Sequence, residues 1–199
     1  MKTIVTSLLL ILFVTGCATK YPSITEYRIK VEPKQLSDLQ KSCEKKSLTV
    51  AQVFVPSALM SKSMKYVVGE YKEYAYNTSA WAENPNRAIT SAIVKSLQNT
   101  QIFQTVENYK SFSRSDYTLE SRVDDFSQHF DHDEKHSFAV VDMTFSLIEN
   151  KTAKVVATKH IIKKEEVKEA NANSGVEALN KALNETLTEM SSWISGSCL

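Results

Sequence analysis

Three consecutive segments between residues 117 and 167 alternate apolar and polar residues, and this pattern constrains the fold more than any other feature of the chain. A period of two places every second side chain on the same face of a β-strand. The middle segment, 136–148, alternates most cleanly, and its apolar positions are Ala139, Val141, Met143, Phe145 and Leu147. The sequence therefore predicts a three-stranded meander with one buried face.

The two outer segments of the meander differ from the middle one in informative ways. Segment 117–130 changes parity at Asp124 and Asp125, which predicts a β-bulge at these residues. Segment 154–167 is more polar and ends in the charged run 163–166, as expected of an exposed edge strand.

Two helices are predicted from caps and from apolar residues that recur every three or four positions. Asn84 is a suitable N-cap, Pro85 suits the first helical position, and Ile89, Ile93 and Leu97 share one face, so we expect a helix from 85 to about 99. A final helix is expected to begin at 173–175. Its apolar positions are Val176, Leu179, Leu183, Leu187, Met190 and Ile194.

The remaining strand candidates complete the order β-β-β-α-β-β-β-β-α. Segment 48–55 suits a central strand, segments 64–68 and 71–76 form a hairpin around Gly69, and segment 102–106 returns to an extended pattern with Phe103 buried. This order predicts one α+β domain whose antiparallel or mixed β-sheet carries two helices packed on one face.

The amino terminus carries a secretion signal. Lys2 precedes the apolar segment 4–14, which is too short to span a bilayer. Residues 14–17 resemble the lipobox of bacterial lipoproteins. The resemblance implies cleavage of residues 1–16 and stable anchoring through acyl chains on Cys17. It also implies localisation at the periplasmic face of the outer membrane, because Ala18 follows the cysteine. A plain secretory signal with an incidental cysteine is the alternative.

We expect residues 17–46 to form the lipidated cysteine and a polar spacer, and residues 47–199 to form the domain. Cys43 and Cys198 are predicted to form a disulfide that ties the two ends together, contributing on the order of 4 kcal/mol; two free thiols are the alternative. Removal of Lys2 with the signal leaves 23 basic against 23 acidic residues, so the charge does not favour nucleic-acid binding.

The sequence lacks the usual catalytic and nucleotide-binding signatures. It has no GxSxG, Walker or GxGxxG motif, which predicts a protein that is not an enzyme and has no cofactor. The strongest chemical candidate is segment 129–136, in which His129, His132 and His136 alternate with carboxylates. A polar hairpin turn is the favoured interpretation, so no metal site is predicted; a zinc site is the alternative.

Aromatic residues are dense in and after the hairpin. We select Tyr71, Tyr74, Tyr76 and Trp81 as the expected partner-facing or lipid-facing surface. Ordinary packing along a half-exposed sheet is the alternative for the tyrosines, and Trp81 is also placed to anchor the start of the first helix.

Taken together, the lipobox, the tyrosine-rich hairpin ending in 81–83, the helix begun by Pro85, the meander and the last helix resemble the ABC-type transport auxiliary lipoproteins, the PqiC-like family. Segments 71–74 and 81–85 carry the closest likeness, and the topology match extends from about 48 to 194. The resemblance implies a non-enzymatic subunit of a lipid-transport system. Its expected partners are a periplasmic MCE-domain protein, an inner-membrane permease and an ATPase, with phospholipid as the transported class.

Two other functions stay open at this point. One is a structural lipoprotein that supports assembly of an outer-membrane complex. The other is a hydrolase or metal-dependent enzyme, which requires the histidine segment 129–136 to hold a metal ion.

Overall fold

The computed structural model describes residues 22–32, 36, 39–40 and 42–198. In this part of the chain, eight strands and two α-helices are joined by loops and one 3-10 turn, Ser57–Met60. The strands are β1 (Thr25–Tyr27), β2 (Ser47–Val50), β3 (Ser63–Val68), β4 (Lys72–Trp81), β5 (Thr105–Asn108), β6 (Tyr117–Phe130), β7 (Ser137–Glu149) and β8 (Lys154–Glu166), and the helices are α1 (Pro85–Thr100) and α2 (Ala172–Ser195). The α+β prediction is confirmed.

The meander forms as the alternation predicts. Strands β6, β7 and β8 pair antiparallel in sequence order, and the β6–β7 register shifts between Val123 and Asp125, which is the expected bulge. The five apolar positions of β7 are completely buried. Among the described residues β8 pairs only with β7, so its outer edge is free as expected.

The sheet is mixed because β6 shares one edge between two parallel neighbours. Its first residues pair with β2 and its last residues with β3, while β7 occupies the opposite edge along its whole length. The predicted central strand 48–55 is therefore too long: β2 ends at Val50, and the chain touches β6 again only at the Phe54–Arg122 bridge. The remaining edge of β2 pairs with β5, which begins three residues later than predicted, while Phe103 is buried as expected.

Both helices bury the faces that their periodicity predicts. Helix α2 packs on β7, β8 and β6, helix α1 packs near β5 and β2, and the two helices contact each other. Asn171 caps α2 by accepting a hydrogen bond from the backbone N–H of Ser174. Asn84 precedes α1 without a side-chain cap hydrogen bond, and its amide donates to the carbonyl of Met60 at 2.9 Å.

The predicted spacer 17–46 is wrong for residues 25–32, which belong to the domain. β1 adds to the sheet in parallel with β4. The following residues lie along α2, where the Lys30 N–H donates to Asn180 Oδ1 and the Glu32 N–H to Asn184 Oδ1, both at 2.9 Å. These are long-range backbone contacts, which sequence periodicity does not reveal.

The structure brings Cys43 and Cys198 together, with their Cα atoms 5.3 Å apart and a disulfide between them. The predicted signal peptide and Cys17 lie outside the described residues. Within the described ranges, no helix is long and apolar enough to cross a membrane.

Candidate partner-facing surface

Four aromatic side chains gather beside the β3–β4 hairpin. The ring of Tyr66 lies 5.6 Å from Tyr74, 4.6 Å from Tyr76 and 5.3 Å from Phe130, measured between centroids. We call these four residues the tyrosine cluster. Its rings meet in stacked, tilted and edge-on arrangements, which are the geometries that aromatic pairs favour.

Strand register explains why the cluster forms. Tyr66 of β3 is directly opposite Tyr74 of β4 and, on its other side, Gln128 of β6. Met64 and Val68, which flank Tyr66 at the i±2 positions, are buried, so the cluster continues the face of the sheet that carries the core.

The cluster is only partly covered, which makes it a candidate surface. Tyr74 is 46% exposed, and Tyr71, in the turn that precedes β4, is 91% exposed. Phe130 is buried, and Tyr66 and Tyr76 are half-buried. The β3–β4 hairpin thus presents partly exposed tyrosine rings that pack on the buried ring of Phe130.

Two consecutive hydrogen bonds fix the buried side of the tyrosine cluster. The Tyr76 hydroxyl donates to Gln128 Oε1 at 2.9 Å, and Gln128 Nε2 donates to Ser137 Oγ at 2.8 Å. Burial, followed by the neighbouring Tyr66 and Tyr27, raises the pKa of Tyr76 above its ordinary 10.0, so its phenol stays protonated and can donate.

Helix α2 closes over the same amide. A Cβ placed on Gly175 would lie 2.7 Å from Gln128 Cδ and closer still to Oε1, so only glycine permits this approach. Gln128 is 2% exposed and links the helix, the meander and the tyrosine cluster.

The structure separates the four residues selected from the sequence. Tyr71 and Tyr74 are exposed and Tyr76 is half-buried, but Trp81 is 2% exposed and packs against Phe126 at 5.7 Å between ring centroids. Placing Trp81 on the surface is therefore wrong. The irregular β3–β4 register, in which Ser63 pairs with Ala80 but Lys65 with Ala75, precedes Trp81, whose side chain lies in the core.

Sequence reasoning left Tyr66 and Phe130 out of the surface. Tyr66 lies in the same tyrosine-dense stretch, and the alternation of 117–130 places Phe130 on the apolar face, so both signals were present. What the sequence lacks is the β3–β6 pairing that joins them.

The three histidines of segment 129–136 line one open pocket together with Asp131 and Asp133, but their side chains are held by different neighbours. His129 Nε2 lies 2.6 Å from Asp125 Oδ2, and its ring stacks on Phe138 at 5.4 Å. His132 instead lies against Gly69. No group of three or more histidine, cysteine, aspartate or glutamate residues that suits a metal occurs within the described part of the chain.

Comparison with known proteins supports the fold and gives the family. The sequence profile of the family described as ABC-type transport auxiliary lipoprotein component matches residues 27–191. No curated protein matches the sequence. A crystal structure of a Xanthomonas campestris protein of family DUF330 has a TM-score of 0.78 at 18% identity, covering 86% of this chain and 96% of that chain.

Two further crystal structures share the fold. One, of an uncharacterized protein, has a TM-score of 0.66 at 16% identity and covers 86% of this chain and 99% of its own. The other, a hypothetical protein from Chlamydia trachomatis, has a TM-score of 0.51 at 7% identity, with coverages of 77% and 97%. Because the family profile matches most of the sequence, the chain belongs to the ABC-type transport auxiliary lipoprotein family.

Proposed function

We propose that this chain is the lipid-anchored periplasmic accessory subunit of an MCE-type ABC transport system that moves phospholipids or other apolar molecules across the bacterial envelope. The family match over residues 27–191 carries this proposal. In it, acyl chains on Cys17 hold the protein at the periplasmic face of the outer membrane, and the domain links that membrane to a periplasmic MCE-domain protein working with a permease and an ATPase.

The tyrosine cluster and Tyr71 form the docking surface in this proposal. Tyrosine is enriched at the centres of protein interfaces because its ring buries much apolar area while its hydroxyl keeps a hydrogen bond. The chain from Tyr76 through Gln128 to Ser137 fixes the rings before any partner arrives. Preorganisation of this kind lowers the entropy lost on binding.

Site-specific photo-crosslinking in intact cells tests the docking surface. A photoreactive phenylalanine at Tyr74, which is 46% exposed, should crosslink to the MCE-domain protein. Met60, 51% exposed in the 3-10 turn, provides a matched position away from the tyrosine cluster and should not crosslink.

The outcomes separate the proposal from its main alternative. Crosslinks from Tyr74 to an outer-membrane barrel protein would favour a structural role in assembling an outer-membrane complex. Equal crosslinking from Tyr74 and Met60 would remove the tyrosine cluster as the docking surface.

A further inference from the structure

A second exposed aromatic site lies on the loop between β5 and β6, which we call the Phe112 loop (residues 109–116). The Phe112 side chain is 104% exposed, and Tyr109 is 38% exposed. A single exposed apolar residue is ordinary on a protein surface, so the case for a role of Phe112 depends on the residues beside it.

The loop holds Phe112 outward by its own hydrogen bonds. The Lys110 N–H donates to Asn108 Oδ1 at 2.9 Å, and the Ser111 N–H donates to the Asn108 carbonyl at 3.0 Å. The hydroxyls of Ser111 and Ser113 lie 2.9 Å apart, on either side of Phe112. The ring is therefore displayed by an ordered turn.

Basic residues flank this ring in the sequence and line a pocket beside its loop. Lys110 and Arg114 lie two residues before and after Phe112, and a polar pocket of about 590 Å³ beside the loop is lined by Arg114, Lys46 and Lys151 among others. Within residues 42–198, none of these four cations forms a salt bridge. Lys110 Nζ lies 5.7 Å from the centroid of the Tyr109 ring, and Lys46 Nζ lies 5.8 Å from that of the Tyr117 ring.

Two of the residues that line the pocket are carboxylates, and each accepts hydrogen bonds from neighbouring residues. Asp116 accepts hydrogen bonds from the backbone N–H and the hydroxyl of Ser47 at 2.8 and 2.7 Å, and Glu149 accepts from Thr152 at 2.7 Å. Thr49 and Thr118 also line the pocket, and the Thr118 hydroxyl donates to Asn150 Oδ1 at 2.8 Å. The pocket thus has three cations and two carboxylates, which gives a net positive charge beside the loop that carries Phe112.

We propose that the Phe112 loop is a membrane-contact element, which inserts Phe112 into the interface of a bilayer containing anionic phospholipid while Lys110 and Arg114 contact headgroup phosphates. Aromatic rings concentrate at the headgroup level of membranes, and basic residues beside them are attracted to anionic lipid. This charge complementarity selects the anionic bilayer surface as the occupant.

Geometry favours a bilayer over a protein partner. A single projecting ring without a surrounding apolar groove needs no shape-complementary partner when it enters a fluid interface, whereas protein hot spots fill packed pockets. An anchor on Cys17 would also keep the domain close to a membrane and raise the effective concentration of the loop there. This inference does not depend on the proposed function, since it concerns a different surface and needs no transporter.

Tryptophan quenching by brominated lipid tests this inference. The full lipoprotein carrying Phe112→Trp is reconstituted into vesicles of phosphatidylglycerol and phosphatidylcholine with brominated acyl chains. The wild-type protein supplies the background from Trp81 and Trp193, and Met60→Trp is the matched control because Met60 is also exposed, at 51%. An unchanged thermal midpoint verifies that each variant is folded.

We expect Phe112→Trp to be quenched at least twofold more than Met60→Trp and to emit at shorter wavelength. Adding Lys110→Gln and Arg114→Gln should reduce this quenching several-fold, as should vesicles of phosphatidylcholine alone. Equal quenching of the two tryptophans, or quenching that ignores both charge changes, would overturn the inference. Protection of the Phe112→Trp side chain only by added transporter proteins would overturn it too and assign the loop to a protein interface.

Discussion

Gly175→Ala should destabilise the protein even though alanine is the better helix former. Gly175 lies in the first turns of α2 and is buried. In an unobstructed helix interior the replacement would stabilise by about 1 kcal/mol. Here the added Cβ would lie 2.7 Å from Gln128 Cδ, well inside van der Waals contact.

The size of the effect follows from what Gln128 must give up. Its amide is 2% exposed and bonded to Tyr76 and Ser137, so it has no free space into which it can turn. Overpacking of this kind costs about 1–3 kcal/mol, and hydrogen bonds left unmade in a buried site cost about 1–3 kcal/mol more. After subtraction of the helix-propensity gain, we expect a net loss of about 1–5 kcal/mol.

Urea unfolding of the purified lipoprotein in mild detergent measures this loss. Asn173→Ala is the matched control, since Asn173 is exposed in the same turn and its replacement removes only a surface hydrogen bond to Glu177. The double variant Gly175→Ala, Gln128→Ala removes the clash, so the two changes should couple by more than about 1 kcal/mol in a double-mutant cycle. A more stable Gly175→Ala protein, or strictly additive effects, would refute the reasoning.

Three further predictions concern the core, the cysteines and the β8 ion pairs. Trp81→Ala should cost about 3–5 kcal/mol of unfolding free energy as a buried aromatic, and a loss below about 1 kcal/mol would contradict its place in the core. Nonreduced protein should show no thiol at Cys43 or Cys198, and replacing both with serine should cost on the order of 4–5 kcal/mol; two reactive thiols would exclude the bridge. The pKa of Glu189 lies below its ordinary 4.5 because two β8 lysines, Lys163 foremost, donate hydrogen bonds to it. The unfolding free energy of the wild type should therefore decrease as the pH falls through that lowered pKa, whereas Glu189→Gln lacks this contribution at every pH. If the unfolding free energies of the two proteins depend on acidic pH equally, the ion pairs do not stabilise the fold.

Local patterns predicted the parts of the fold whose signal lies within one element. The alternation in 136–148 fixes which face of β7 is buried, and all five of its predicted core residues have no exposure. The parity change at Asp124 and Asp125 located the bulge, because a one-residue insertion moves the apolar positions to the other phase. The periodicity of α2 likewise matches its buried positions.

Contacts between distant segments could not be predicted in this way. β1 is three residues long and is recognised only by its pairing with β4, so its polar sequence reads as spacer. β2 and β3 pair with the same edge of β6, so the predicted strand 48–55 is shorter than expected. The sequence of that segment does not indicate this shared pairing.

The candidate surface shows the same division. Tyrosine density pointed to the correct hairpin, but the irregular β4 register, which no composition predicts, precedes a buried Trp81. The exposure of Phe112 also depends on the conformation of its loop, which the sequence around it does not determine.

Affinity purification of the full lipoprotein, tagged at its carboxyl terminus, tests the transport role most directly. Envelopes are solubilised mildly, and the proteins that copurify are identified by mass spectrometry. The account predicts recovery of an MCE-domain protein together with its permease and ATPase. Recovery of an outer-membrane barrel protein without any of these three would contradict it.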